Sequence, residues 1–199
     1  MVMMALDHAR DFFSDTALKF DPTDLTQTTP TLFVTRWVTH FCAPVFVFLA
    51  GTSAYLWQAR GRTKVELSRF LLTRGLFLVI LDPTVIRFSW FWDVNWRFTF
   101  GQVIWAIGWS MIVLAGLIHL PRWIVAVLAV GMIATHNLLD GISPSDDTAW
   151  GMLWHVLHVR GLIEPVEGVQ FWVMYPLIPW IGVLAAGYVF GPPGWRPDG

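Results

Sequence analysis

The stretch RWVTHFCAPVFVFLAGTSAYLWQ, residues 36–58, decides the fold class. Arg36 and His40 stand directly before the apolar Pro44–Gly51 segment. From Trp37 to Gln58 the run approaches the roughly 20 residues a helix needs to cross a bilayer. Ionisable groups are costly beside hydrocarbon, so a membrane chain that keeps them there usually has a use for them. The same arrangement occurs earlier, where Asp7-His8-Ala9-Arg10-Asp11 follows the apolar stub MVMMAL.

Outward from this stretch, the composition agrees. The 199 residues are 55% hydrophobic and only 14% charged, against about 25% charge in an ordinary soluble domain. Thirteen tryptophans and fifteen phenylalanines suit the aromatic belts of a membrane interface. A net charge of -1 offers no basic stripe for nucleic acid. The single Cys42 forms no intrachain disulfide and reads as a small buried hydrophobe.

Five apolar segments follow the opening stub: Trp37–Gln58, Phe70–Phe91, Phe100–Leu120, Trp123–Leu139 and Phe171–Phe190. The expectation is therefore an all-α, polytopic transmembrane bundle of about six hydrophobic helices, the first of them partial. It forms a single membrane domain over residues 1–199. The short first segment, and the loop-like Gly191–Gly199 tail, read as truncation at both ends. Pro121-Arg122 marks a tight turn. Asp140–Gln170 is the longest polar connection, with a short amphipathic helix expected over Trp150–Arg160.

Loop charges orient such a bundle. Arg60, Arg62, Lys64, Arg69 and Arg74 cluster after the Trp37 segment, which puts that loop in the cytoplasm by the positive-inside rule. Alternation then sends Asp7, His8, Arg10, Asp11, Arg36, His40, Asp82, Arg87, Gln102, His136, Asn137, His155 and His158 toward the external side.

These residues supply the candidate site. A histidine with a carboxylate neighbour suits general-base work, because the carboxylate fixes the tautomer and stabilises the imidazolium. His8 and His40 are the candidate bases, and Asp7 or Asp11 the orienting carboxylates. The structural alternative for the first cluster is a helix-end salt bridge. For His40 two readings stand: Pro44 frees its carbonyl in a kink, or Pro44 lies in a first helical turn. Arg10, Arg36, Asp82, Arg87, His136 and Asn137 are candidate acceptor-binding groups. Asp82 must be paired, protonated or facing water, and Arg87 or Arg10 are candidate partners. The i,i+3 pair His155 and His158 lacks further ligands at fixed spacing, so no metal site is expected. Arg74 either anchors headgroups or contacts a phosphate-bearing donor. Gly51-Thr52-Ser53-Ala54 offers small residues for close helix packing.

Some of these segments also resemble a known family. Leu6-Asp7-His8-Ala9-Arg10-Asp11-Phe12-Phe13 and Thr39–Ser53 are similar to the first- and second-helix motifs of bacterial proteins related to heparan-alpha-glucosaminide N-acetyltransferase. Arg69–Leu76 and Tyr175-Pro176-Leu177-Ile178-Pro179-Trp180 resemble later segments of the same family. The resemblance implies a membrane acyltransferase that uses acetyl-CoA or another acyl-CoA as co-substrate. It implies a saccharide or cell-envelope acceptor, with the amine or hydroxyl acetylated on the external face. The partners expected are then the lipid bilayer of a bacterial cytoplasmic membrane and the acceptor, with a homo-oligomer left open. A proton-coupled transporter or a structural membrane subunit is the alternative reading of the same polar residues.

Overall fold

The computed structural model describes Ala5, Ala9, Phe13 and residues 24–145 and 148–191. The chain divides into two compact units, residues 1–46 and 47–199, with the boundary inside one helix.

In the first unit, Asp24 organises a turn. One carboxylate oxygen accepts from the Thr26 N–H at 2.9 Å and the Thr26 hydroxyl at 2.7 Å, and the other accepts from the Gln27 amide at 3.0 Å. These bonds, the Thr26 hydroxyl first, hold the Asp24 carboxyl below its ordinary value. Helix α1, Pro30–His40, starts from an N-cap at Thr29 with Pro30 at the first position. It stops at Phe41, and α2, Cys42–Ala59, begins at once. Pro44 lies in the first turn of α2. Its missing N–H is the one that would have bonded the His40 carbonyl, so the helix breaks there and both readings of Pro44 describe one event.

The second unit is a bundle carrying a small sheet. It contains the rest of α2, then α3 (Lys64–Leu81), a π-helical turn (Asp82–Ile86) and α4 (Arg87–Phe91). Strand β1 (Phe98–Gly101) leads into α5 (Val103–Leu117). Then come α6 (Arg122–Thr135), a 3-10 turn (His136–Leu139), α7 (Ala149–Leu157), β2 (Gly161–Val166), β3 (Val169–Val173) and α8 (Leu177–Val189). A capping box at Thr63 and Glu66 starts α3. Trp92, in the left-handed conformation at φ 50°, ends α4. The sheet order is β1-β3-β2, with β1 and β3 parallel and the β2–β3 hairpin turning at Gly168, φ 75°.

The expected all-α bundle of about six spanning helices is not what forms. Among the described residues only two helical runs, Pro30–Ala59 and Arg122–Leu139, are long and apolar enough to cross a membrane. The segment Phe100–Leu120 divides into strand and helix, leaving α5 with 15 residues. Phe171–Phe190 likewise gives a strand and the 13-residue α8. At 1.5 Å per residue these reach about 20 Å, short of the ~30 Å hydrocarbon core. Phe70–Phe91 falls within a helical run interrupted by the π turn, and that run starts in charge at Lys64, Glu66, Arg69 and Arg74. Apolar strand residues read as extensions of the helices beside them. The amphipathic helix expected over Trp150–Arg160 is present as α7.

Packing inside the bundle runs through glycine. A Cβ on Gly75 of α3 would lie 2.6 Å from the Gly108 carbonyl oxygen of α5, and one on Gly108 would lie 2.7 Å from that of Gly75. The α2–α8 crossing is equally close. A Cβ on Gly51 would strike the Leu184 carbonyl, and one on Gly187 the Phe48 carbonyl. The Thr52 hydroxyl donates to the Gly187 carbonyl across this contact at 3.2 Å. Small residues at crossings are how helices associate where burial alone supplies little drive. Val47, Leu67, Leu71, Leu114, Ile118 and Leu184 fill the remaining core. Trp105, Ile163, Val173, Leu177 and Ile181 join the sheet to α5 and α8. Leu76, Phe77 and Ile80 on α3, with Val127, Val130 and Ile133 on α6, face outward. Outward apolar side chains of this kind suit contact with lipid.

Candidate functional site

Two polar centres flank the sheet, and a cavity opens at the other end of the helices. The first centre starts at Asp82, whose side chain is fully buried in the π turn. One carboxylate oxygen accepts from the backbone N–H of Gln102 at 2.6 Å and of Trp105 at 3.2 Å. Asp82 is thus the N-cap that α5 lacks locally, delivered from 20 residues earlier. Its other oxygen, Oδ1, has no hydrogen-bond partner. Arg87 is not the partner of Asp82. It is buried to 2% exposure and binds the start of β1 and the loop ahead of it, donating to the carbonyls of Asp93, Asn95 and Phe98. Its guanidinium lies between the rings of Phe91 and Trp96, 5.5 and 5.0 Å from their centroids. This is a structural staple, which corrects the expected Asp82–Arg87 pairing.

The second centre is a chain of three side chains. Asp140 Oδ1 lies 3.1 Å from His158 Nε2, and His158 Nδ1 lies 3.1 Å from His136 Nδ1. His158 is 4% exposed, sits at the C-terminal end of α7 and packs on the Trp154 ring. Trp154 is in turn held by a bond from its indole N–H to the Ile142 carbonyl at 2.9 Å. The i,i+4 spacing of His136 and Asp140 places both at the turn that follows α6. An ionised carboxylate only accepts, so with both rings neutral His158 donates from Nε2 and keeps a bare Nδ1. That nitrogen accepts from His136 Nδ1–H, which leaves the lone pair of His136 on Nε2. The Nε2 atom makes no hydrogen bond within the described residues. His155 turns away, its Nδ1 at 3.3 Å from the Val159 carbonyl oxygen. Among the described residues no group of three or more His, Cys, Asp or Glu side chains is arranged to hold a metal ion.

The cavity measures about 270 Å³ and is lined by Tyr55, Gln58, Ala59, Lys64, Ile118, Leu120, Arg122 and Tyr188. These come from the ends of α2, α3, α5, α6 and α8. Arg122 anchors the wall. Its Nη2 donates to the carbonyls of Val189 and Gly191 at 2.7 and 2.8 Å, neutralising the C-terminal end of α8. The guanidinium carbon stands 4.6 Å over the Tyr55 ring. The Tyr188 hydroxyl donates to Gln58 Oε1 at 2.7 Å.

The sequence-derived candidates divide accordingly. Asp7, His8, Arg10 and Asp11 lie outside the described residues. His40 is exposed at the end of α1, and Arg36 is half-buried one turn before it. Asn137 is exposed beside His136. Arg74 is exposed in mid-helix, over the Phe70 ring at 5.6 Å, and does not line the cavity. Sequence reasoning missed Arg122, Lys64 and Tyr188, because their convergence needs helices distant in sequence. The sequence places His136 and His158 toward the same external side, and the structure brings them into contact; the His136–Asp140 spacing was a signal that went unread.

The family model described as heparan-alpha-glucosaminide N-acetyltransferase, catalytic, matches residues 1–196. No curated protein and no solved structure matches the chain.

Proposed function

The chain belongs to the heparan-alpha-glucosaminide N-acetyltransferase catalytic family, and from that premise we propose that it moves an acetyl group from acetyl-CoA to a sugar amine or hydroxyl on the external face of a bacterial cytoplasmic membrane. The observation that carries the donor side is the cavity ringed by Arg122, Lys64, Tyr55 and Tyr188. Among the described residues Arg122 uses only Nη2 in its bonds to α8. Guanidinium and ammonium groups suit phosphate oxygens. The volume accommodates a phosphate-bearing fragment of coenzyme A. Arg60, Arg62 and Lys64 gather at this end, which supports reading it as the cytoplasmic one by the positive-inside rule, the side on which acyl-CoA is found. The sheet end, with Asp82, His136 and His158, then faces outward and serves the acceptor.

Arg122 and Lys64 stand in for Arg74 as the donor-binding cations. The test is transfer of labelled acetate from acetyl-CoA to glucosamine by the chain in lipid nanodiscs. A charged hydrogen bond to phosphate contributes about 1.5–3 kcal/mol, so R122Q raises the KM for acetyl-CoA roughly 10- to 100-fold with kcat little changed. Unchanged KM in both R122Q and K64Q refutes the donor assignment. Proton-coupled solute uptake without acetyl-CoA consumption would support the carrier reading instead.

A further inference from the structure

We infer that His136 is the proton acceptor of the transfer reaction, with His158 and Asp140 as the positioning residues behind it. This deepens the acetyltransferase reading and rests on it. His158 is 4% exposed, yet it spends one ring nitrogen on an exposed carboxylate and the other on a second imidazole. Packing alone does not ask for that. A hydrophobic residue would fill the space against Trp154 at lower cost than a desolvated imidazole.

The order of the three groups gives the direction. Asp140 accepts from His158 Nε2–H, His158 Nδ1 accepts from His136 Nδ1–H, and His136 is left with a basic Nε2. Both rings are thereby held in single tautomers, which is what a carboxylate does for a working imidazole. The two Nδ1 atoms, 3.1 Å apart, can hold one proton between them. A proton taken up at His136 Nε2 therefore spreads its charge along the chain toward Asp140. The ring planes of His136 and His158 cross at 67° with centroids 4.5 Å apart, so the contact runs edge to face and does not rely on stacking.

In the reaction, the arm of a coenzyme A held by its phosphates at the cavity has to carry the thioester along the bundle, about the 20 Å length of α5, to His136, where the lone pair of the acceptor amine or hydroxyl forms a bond to the acetyl carbonyl carbon. The acceptor proton passes to His136 Nε2. Collapse of the tetrahedral intermediate breaks the C–S bond and expels the coenzyme A thiolate. The thiolate takes a proton, and His136 gives one up, so the enzyme returns to its starting state. No oxidant, reductant or third reactant is needed.

The test uses the full chain in nanodiscs, with labelled acetyl-CoA and glucosamine. H136A lowers kcat about 10²–10⁴-fold while the KM for acetyl-CoA stays within twofold. Added imidazole restores part of that rate, which a purely structural loss does not allow. D140N keeps an oxygen acceptor for His158 but removes the charge, and lowers kcat roughly tenfold without moving the KM. Thermal unfolding checks that each variant is folded, and H136Q replaces H136A where the smaller side chain proves unstable. Wild-type transfer with unchanged kcat in H136A and H136Q overturns the inference and leaves the acetyltransferase reading standing. A loss of rate that imidazole does not rescue, with a parallel loss of thermal stability, overturns it as well. Absence of transfer by the wild-type chain overturns the acetyltransferase reading and the role of His136 with it.

Discussion

Replacing Asp82 tests whether a side chain from one helix holds the start of another. The carboxylate accepts the N–H groups of Gln102 and Trp105, the orphan donors at the head of α5. D82A leaves both unpaired, with Trp105 buried to 6% exposure. A lost cap costs about 0.5–2 kcal/mol, and each buried unsatisfied donor about 1–3 kcal/mol. These overlap, and the change also removes the unpartnered Oδ1, whose desolvation opposes folding. The net expectation for D82A is a loss of about 3 kcal/mol, or roughly 6–12 °C in a chain of this length. D82N behaves differently. Its amide oxygen still meets the two N–H groups, and its NH2 takes the place of the unpartnered oxygen, so the loss stays below about 1 kcal/mol. Tryptophan fluorescence during heating in detergent reads both variants, since the chain carries thirteen indoles. If D82N is as unstable as D82A, the charge itself matters and the capping argument is wrong.

Other tests follow from the packing and the caps. G187A pushes a methyl group into the Phe48 carbonyl at the α2–α8 crossing and is expected to cost at least about 1–3 kcal/mol. G116A meets nothing within 4 Å and gains up to about 1 kcal/mol from helix propensity; equal melting temperatures for the two would contradict the tight crossing. The backbone bond from Thr63, then its hydroxyl, hold the Glu66 carboxyl below its ordinary value. A depressed folded value means the cap contributes stability above the unfolded glutamate pKa, near 4.3, and loses it as pH falls through the lower folded one. E66Q should flatten the acid side of the stability profile in that window, and an unchanged profile speaks against the cap.

Much of this protein was legible along the chain. Residues 36–58 carry enough apolar length, beside Arg36 and His40, to announce a helix suited to lipid. Gly51 and Thr52 announced a close crossing, and they make one with Leu184 and Gly187. Pro44 marked the break at Phe41. These are local effects: backbone geometry, side-chain size and hydropathy act within a few residues, and a sequence records them directly. Family membership was legible for the same reason, because the segments around His8 and His40 are contiguous.

What needed the tertiary structure was every pairing across distance. Phe98–Gly101 and Val169–Val173 continue the apolar runs of the helices beside them, and their hydrogen bonds to partner strands make them strands. Asp82 chose two backbone N–H groups over Arg87 because the head of α5 arrives beside the π turn, while Arg87 is spent on the carbonyls before β1. His158 meets His136 across 22 residues, and Arg122 reaches the end of α8 across 67. A residue's type and spacing state what it can donate or accept. Which partner it finds depends on where the rest of the chain folds back.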